Sequence, residues 1–312
     1  MATLTSSGFP NFMASLPRKM DLEMANMRTE AVYPKFVKIK ASNKKTILIQ
    51  NIEGMNSAEV WPEGAPIAEL IFREGRPQAF TQAAFGAAFS GTKQIRKFED
   101  SGLMQRAMAK LMHSVFKAKE VIASSYLADG DAATPPTAGG MPLIHNKGSD
   151  GLVLFHIAHT WLSGGGTYAN KSAGADSLNE TGINNMWTRM LRGLDSTGAP
   201  LGWGLTGVIV PPEQFAVAVK TLRSPKEPLT ANNAVNAALE QVPDRIIVNR
   251  WLAGTTQWYG MSDAKDGDLC FYFAWEDEVH KSRDEKTQGD YVSVDFSMAH
   301  GAVQLLSLYK VA

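Results

Sequence analysis

The feature that most constrains this chain is a helical period sustained from about Gln94 to Ala128. Met104, Met108, Leu111, Val115, Lys119, Ile122 and Tyr126 advance by three or four residues, while Arg106, Lys110, His113, Lys117 and Glu120 fall on the other side. That spacing predicts one long amphipathic helix, broken near Gly102, with Met108, Leu111, Val115 and Ile122 at its core. At 1.5 Å per residue it spans on the order of 45 Å. That is long enough to form the backbone of a flat, elongated molecule. Asp129, Gly130, Pro135 and Pro136 end it.

Ahead of the helix, a β-like stretch from Thr46 to Ile52 is followed by the run Trp61 to Ser90, with turn residues at Pro62, Gly64 and Pro66 and again from Glu74 to Pro77. The pattern predicts a long hairpin with its tip near Gly75. A two-stranded ribbon is marginal alone in water, and Ile71, Phe72, Phe80, Phe85 and Phe89 need a surface, either on the same domain or on a neighbouring subunit. The first twenty residues have no period and contain Gly8, Pro10 and Pro17, so they read as an extended arm that something else must order. From Met1 to Gln50 eight basic residues face three acids, a local surplus of five positive charges.

Beyond the helix, Ala132 to Asp176 reads as loop interrupted by an apolar strand from Leu152 to Ile157. A capping box at Ser177-Leu178-Asn179-Glu180 opens a second helix to about Leu194. A buried strand from Thr206 to Val210 leads through Pro212, suited to a first helical turn, into a helix ending at Ser224. Strands are expected at Arg245 to Asn249 and Gln257 to Gly260. From Asp268 to Ala312 strands dominate, around a charged excursion from Glu276 to Asp290. The 312 residues therefore read as an α+β chain of two lobes without internal repeats.

Lysine plus arginine equals aspartate plus glutamate, 31 against 31, so no mean field steers the molecule onto nucleic acid or an anionic membrane. No apolar run approaches the roughly 18 to 20 residues that cross a bilayer. The N-terminus has no secretory h-region, and the single Cys270 permits no internal disulfide. A soluble chain made in a reducing cytosol is expected.

His145, His156 and His159 lie within fifteen residues and suggest a metal. Their segment reads as a strand and turn with no HExxH glutamate, which favours ordinary hydrogen-bonded histidines. The runs Gly139-Gly140 and Gly164-Gly165-Gly166 lack the Lys-Ser/Thr of a phosphate cradle. Cys270 sits in the apolar run LCFYFAW, where a thiol fills core. Glu276, Asp277, Glu278, Asp284 and Glu285 alternate with Lys281, Arg283 and Lys286, as in a solvated or intersubunit charged loop. The chain offers no convergent catalytic set, so neither enzymatic residues, a cofactor nor a metal is expected. A structural or interaction protein is.

The order of these features resembles major capsid proteins of tailed phages with the Hong Kong-97 fold, most closely the Mu-like major head subunit branch. Four stretches carry the likeness: YPKFVKI (Tyr33 to Ile39), WPEGAPIAEL with FREG and the run to FSGTKQIRKFED, DGLVLFHIAHTW (Asp150 to Trp161), and GVIVPPEQFAVAVKTL followed by SPKEPLTANNAVNAAL. Thr92-Lys93-Gln94 and Glu99-Asp100 depart from the family's helix start.

The resemblance implies an N-terminal arm over 1–45, an extended loop over 46–92, a peripheral domain with the spine helix over 93–180, an axial domain over 181–262 and peripheral return strands over 263–312. It implies intersubunit contacts by Ile71, Phe72, Arg73, Arg76, Phe80 and Phe85 of the loop and by Arg18, Lys19 and Arg28 of the arm. The expected partners are further copies in hexamers and pentamers, a separate scaffolding protein, a portal protein, a possible decoration protein, and packaged double-stranded DNA held without sequence specificity, with no membrane. The expected location is the virion, after assembly in the host cytoplasm. Two alternatives stay open: a bacterial nanocompartment shell, and a metal-dependent enzyme using His145, His156 and His159.

Overall fold

The computed structural model describes residues 22, 24–55, 57–67, 69–70, 72–92, 103–138, 141–174, 176–225, 236, 238–242, 245–254, 256–262, 268–283 and 289–311. A helical segment at 24–30 and a 3-10 turn at Tyr33–Lys35 lead into strands β1 (Lys38–Ala41), β2 (Thr46–Ile49), β3 (Ile52–Met55), β4 (Phe72–Glu74), β5 (Gln78–Thr81) and β6 (Ala83–Gly91). The long helix α1 (Leu103–Asp129) follows, then two small paired ribbons, β7 (Thr137–Ala138) with β8 (Met141–Pro142) and β9 (His159–Thr160) with β10 (Thr167–Tyr168). Helix α2 (Glu180–Arg192), strand β11 (Leu205–Val210), helices α3 (Phe215–Arg223) and α4 (Ala238–Gln241), and strands β12 (Ile246–Val248), β13 (Trp258–Ser262), β14 (Cys270–Arg283), β15 (Asp290–Gly301) and β16 (Leu308–Val311) complete it.

Helix α1 has 27 residues, about 40 Å of axis. The expected first turns at 94–102, the break near Gly102 and the side chain of Met104 lie outside the described residues. Met108, Leu111, Val115, Ile122 and Tyr126 are buried, and Met112, Phe116, Ala123 and Leu127 widen the stripe by one position. Each large apolar side chain so buried contributes about 1.5–3 kcal/mol. Glu120, expected on the polar side, is buried instead. Its carboxylate accepts the amides of Val32 at 2.5 Å and Tyr33 at 3.4 Å, where the chain enters its 3-10 turn with unsatisfied N–H groups.

Two four-stranded sheets share the core around α1. The first has the order β1-β14-β15-β6, with β1 parallel to β14 and the other pairs antiparallel. Phe271, Phe273, Val292, Val294, Phe296 and Met298 turn inward from it. The second has the order β12-β11-β13-β16. Its residues alternate as a strand must: Ile209, Tyr259, Met261 and Leu308 join the core of α1, while Val208, Val210, Trp258, Tyr309 and Val311 pack with Ile183, Met186, Met190, Ala218 and Leu222 from α2 and α3.

Buried polar contacts fix α1 at two points. In the middle, Lys119 Nζ reaches Asp277 Oδ1 at 2.7 Å, both side chains 2% exposed, with the rings of Phe273 and Phe296 within 5 Å of the ammonium. Asp277 stands at φ 48°, where the β14–β15 register shifts between Trp275 and Glu278; the bulge turns an otherwise misplaced carboxylate inward. At the C-terminus, where helix carbonyls lack partners, Leu127 O accepts the Tyr259 hydroxyl at 2.9 Å and Ala128 O accepts Lys310 Nζ at 2.8 Å. Lys310 also pairs with Asp131 at 2.7 Å, as does Lys171.

Several expectations are corrected. Glu276 to Arg283 is not an excursion but the outer half of β14, a ladder continued by β15; Asp284, Glu285 and Lys286 lie outside the described residues. Residues 152–157 form no strand: their backbone groups go to scattered partners, Leu154 N to Asn146 O, Phe155 N to Gly130 O, and His156 N and Leu154 O to the Asn170 side chain. Helix α2 begins three residues late, capped by Asn179 Oδ1 accepting Gly182 N at 2.8 Å rather than by a capping box at Ser177. The last strand, β16, pairs with β13 in the second sheet, while β14 and β15 belong to the first.

Burial alone would push the Asp131 carboxyl up, but hydrogen bonds from Lys171 and Lys310 hold it below its usual value. Its stabilising contribution is therefore complete above about pH 4 and is lost as acid titrates it below that ordinary range. Asp131→Asn leaves a buried ammonium short of its carboxylate and should cost about 3–5 kcal/mol in denaturant unfolding at neutral pH. The variant's deficit should shrink as pH falls below about 4.

Candidate functional site

A ribbon built by β2 with β5 and β3 with β4 projects from the first sheet. Its tip is not at Gly75. Gly75 N donates to Asn51 O across the ribbon at 2.7 Å, and Pro77, which cannot donate to a ladder, separates β4 from β5. The turn lies instead at Pro62 to Ala65, where Ala65 N bonds Pro62 O at 3.1 Å and the Trp61 indole donates to Ala65 O at 2.5 Å.

The base of the ribbon is committed to its own chain. Phe80 is fully buried with Ile47, Cys270, Tyr272, Ala299 and Val303. It occupies the space that a side chain at Gly301 would fill, a Cβ there falling 1.9 Å from Phe80 Cε1. An intersubunit role for Phe80 is thereby corrected: it has no surface to offer. Phe85 is half-buried, stacked on Phe296 at 5.0 Å.

Midway along, Glu53 is buried and its carboxylate accepts from Leu162 N, Ser163 N and Ser163 Oγ at 3.0–3.3 Å, while Arg73 donates to Ser196 O at 2.7 Å. Gly165, at φ +100°, lets the opposing loop close on Ser196, where a Cβ would lie 2.2 Å from the carbonyl oxygen. Gly165 and Gly166 thus serve close packing, while Gly164 has open space beside it; Gly139 and Gly140 lie outside the described residues.

The outer part is different. Val60 is 93%, Ile67 71% and Trp61 63% exposed, and Leu48, Ile52, Met55, Leu70 and Phe72 are exposed with them. Arg76 is half-buried, Ile71, Arg18 and Lys19 lie outside the described residues, and Arg28 pairs at 3.7 Å with Glu276 and at 3.6 Å with Asp277 of its own chain. The residues missed from sequence are Val60, Trp61 and Ile67. The readable signal was the turn Pro62 to Pro66 with apolar residues on both flanks.

The three histidines do not converge on a metal. His145 lies between Phe80 and His300, at centroid distances of 5.6 and 5.7 Å. Burial pushes it below its ordinary value and pushes His300 down to about 3. His159 faces Asp150 Oδ2 at 2.8 Å through Nδ1 and Leu154 O at 3.2 Å through Nε2, so both nitrogens face acceptors. His156 closes a local turn with Ala158. Cys270 is buried, and burial pushes its thiol up, which disfavours the reactive thiolate.

The Glu53 contacts predict a measurable latch. Glu53→Ala should orphan two amides and loosen the ribbon, raising the rate of limited proteolysis between residues 46 and 81 at least about tenfold while the lobes stay folded; each lost acceptor costs about 1–3 kcal/mol. An unchanged cleavage rate would show that the latch does not hold the ribbon.

A sequence-family model described as phage capsid protein matches residues 75–297, more than two thirds of the chain. No curated protein sequence is similar enough to count as a match. Among solved structures, the capsid of Myoviridae phage XM1 is similar with a TM-score of 0.51 and 10% identity over 88% of each chain. The capsid of Ralstonia phage GP4 is similar with a TM-score of 0.53 and 10% identity over 88% of this chain and 86% of that one. The capsid of a native GTA particle gives a TM-score of 0.53 and 9% identity, over 89% and 88%. At such identities the likeness shows the fold, the mixed helix-and-strand capsid architecture. Together with the family match it makes the conclusion plain: this chain belongs to the phage capsid protein family.

Proposed function

We propose that the chain is the major head protein of a tailed phage, of the Mu-like branch, and that copies assemble into the hexamers and pentamers of an icosahedral shell around double-stranded DNA. The observation that carries this is the tip of the ribbon, where Val60, Trp61 and Ile67 stand in solvent on a projection whose base is rigidly held. Large apolar side chains left exposed together in one loop mark a candidate interaction surface. A contact between the tip of one copy and the body of the next is heterologous, and such contacts generate closed assemblies when their rotation closes. Each can be modest because many act together. No helix among the described residues is long and apolar enough to cross a membrane.

In this reading the loop acts through its tip and through Phe72, and the arm through Arg18, Lys19 and Arg28. A separate scaffolding protein would guide assembly in the host cytoplasm, with a portal protein at one vertex and a decoration protein as a further partner. The net charge of zero, 31 basic against 31 acidic residues, fits a shell that contains DNA without reading its sequence.

Replacing Val60, Trp61 and Ile67 together by Ser should leave thermal unfolding unchanged and lower particle yield at least about tenfold, as counted by electron microscopy. Normal shells from this variant would remove the tip from the assembly contact. Leu111→Asp should do the opposite, placing a charge in the core of α1 and abolishing soluble protein at a cost of several kcal/mol. Nuclease-protected DNA in purified particles supports the head reading; protein cargo without DNA would replace it with a nanocompartment shell.

A further inference from the structure

Beyond the bulge at Asp277, the β14–β15 hairpin brings three titratable side chains together. Glu278 and His280 are two residues apart on one strand and so share a face, and Asp295 is the direct cross-strand partner of Glu278. His280 Nε2 lies 3.2 Å from Asp295 Oδ1 and 3.7 Å from Glu278 Oε2, and one ligand atom from each residue falls within 4.8 Å of the other two. Two carboxylates placed opposite each other across an antiparallel pair repel. Positive charge between them relieves that repulsion.

A second feature aims the cluster. The Trp275 indole donates to Asp295 Oδ2 at 2.8 Å, leaving Oδ1 to face His280. A hydrogen bond from outside that orients a ligating carboxylate is how proteins preset metal ligands. On the flank toward β6 the neighbours are small, Gly86 opposite Asp295 and Ala88 opposite Ser293. Glu278 and His280 are more than half exposed, so water can complete a coordination shell.

We infer that Glu278, His280 and Asp295 form a binding site for a divalent transition ion, with zinc the best match. Zinc takes imidazole nitrogen and carboxylate oxygen at about 2.1 Å in a tetrahedron, which sets ligand atoms about 3.4 Å apart, between the two separations that His280 makes. Calcium and magnesium prefer an all-oxygen shell, whereas the imidazole nitrogen of His280 suits zinc. An ion held here ties β14 to β15 next to the register shift between Trp275 and Glu278, where the backbone ladder is interrupted. It stiffens the hairpin and does no chemistry.

The test is calorimetric titration of the metal-free full-length chain with zinc chloride at neutral pH, followed by thermal unfolding with and without the ion. One saturable zinc per chain and a raised unfolding temperature are expected. His280→Ala and Asp295→Asn should weaken binding at least about tenfold, and Trp275→Phe about tenfold with the zinc-free unfolding temperature unchanged. Absence of saturable binding overturns the site and leaves His280 as a simple charge partner of the two acids. Equal affinity in His280→Ala, or displacement of zinc by equimolar calcium, overturns it too. None of these outcomes depends on whether the chain forms shells.

Discussion

The structure depends on how one long helix disposes of its polar groups. Helix α1 lies in a core shared by two sheets, and a helix so placed must satisfy a lysine in mid-length and the free carbonyls at its end without water. Lys119 finds Asp277, 158 residues away along the chain, and the Ala128 carbonyl finds Lys310, 182 residues away. Neither pair is a large source of net stability, since burying charge costs about as much as pairing returns. Their effect is to fix register. Any other seating of α1 leaves an ammonium or a carbonyl unpaired in an apolar core, at a cost of several kcal/mol.

Both anchors come from late strands, and this links the two lobes. Asp277 belongs to the sheet of β1, β14, β15 and β6, and Lys310 to the sheet of β11, β12, β13 and β16. Helix α1 is thereby clamped by one sheet at its middle and by the other at its end. The ribbon inherits this rigidity through Phe80, packed against the Gly301 backbone at the end of β15, and through Glu53 and Arg73, which bind the loops at 162–163 and 196. In the assembly proposed above, an apolar tip on a firm base would lose little conformational entropy on docking.

The same economy explains why groups that looked chemical are structural. The two nitrogens of His159 are taken up by Asp150 and the Leu154 carbonyl, and burial favours the neutral form of His300, whose Nδ1 meets the Tyr126 hydroxyl. Capsid proteins are structural proteins, and most of the buried polar groups here hold backbone in place.

The sequence by itself determined the long helix, its apolar stripe, the buried strand before Pro211 and the helix after it, and the β-rich end, because each rests on local periodicity or proline chemistry. It also carried the family likeness through the order of its motifs. Only the tertiary structure decided the rest. Glu120 read as solvent-facing because helical position cannot reveal that the Val32 and Tyr33 amides would arrive from 88 and 87 residues away. The charged run after Trp275 read as loop because its strand character comes from pairing with β15, not from its own residues. The tip of the ribbon was misplaced because two turn signals compete, at Pro62 to Pro66 and at Glu74 to Pro77, and the cross-strand bonds of β3 with β4 select the first. The Glu278, His280 and Asp295 cluster needs the β14–β15 register, and register is a property of two strands together.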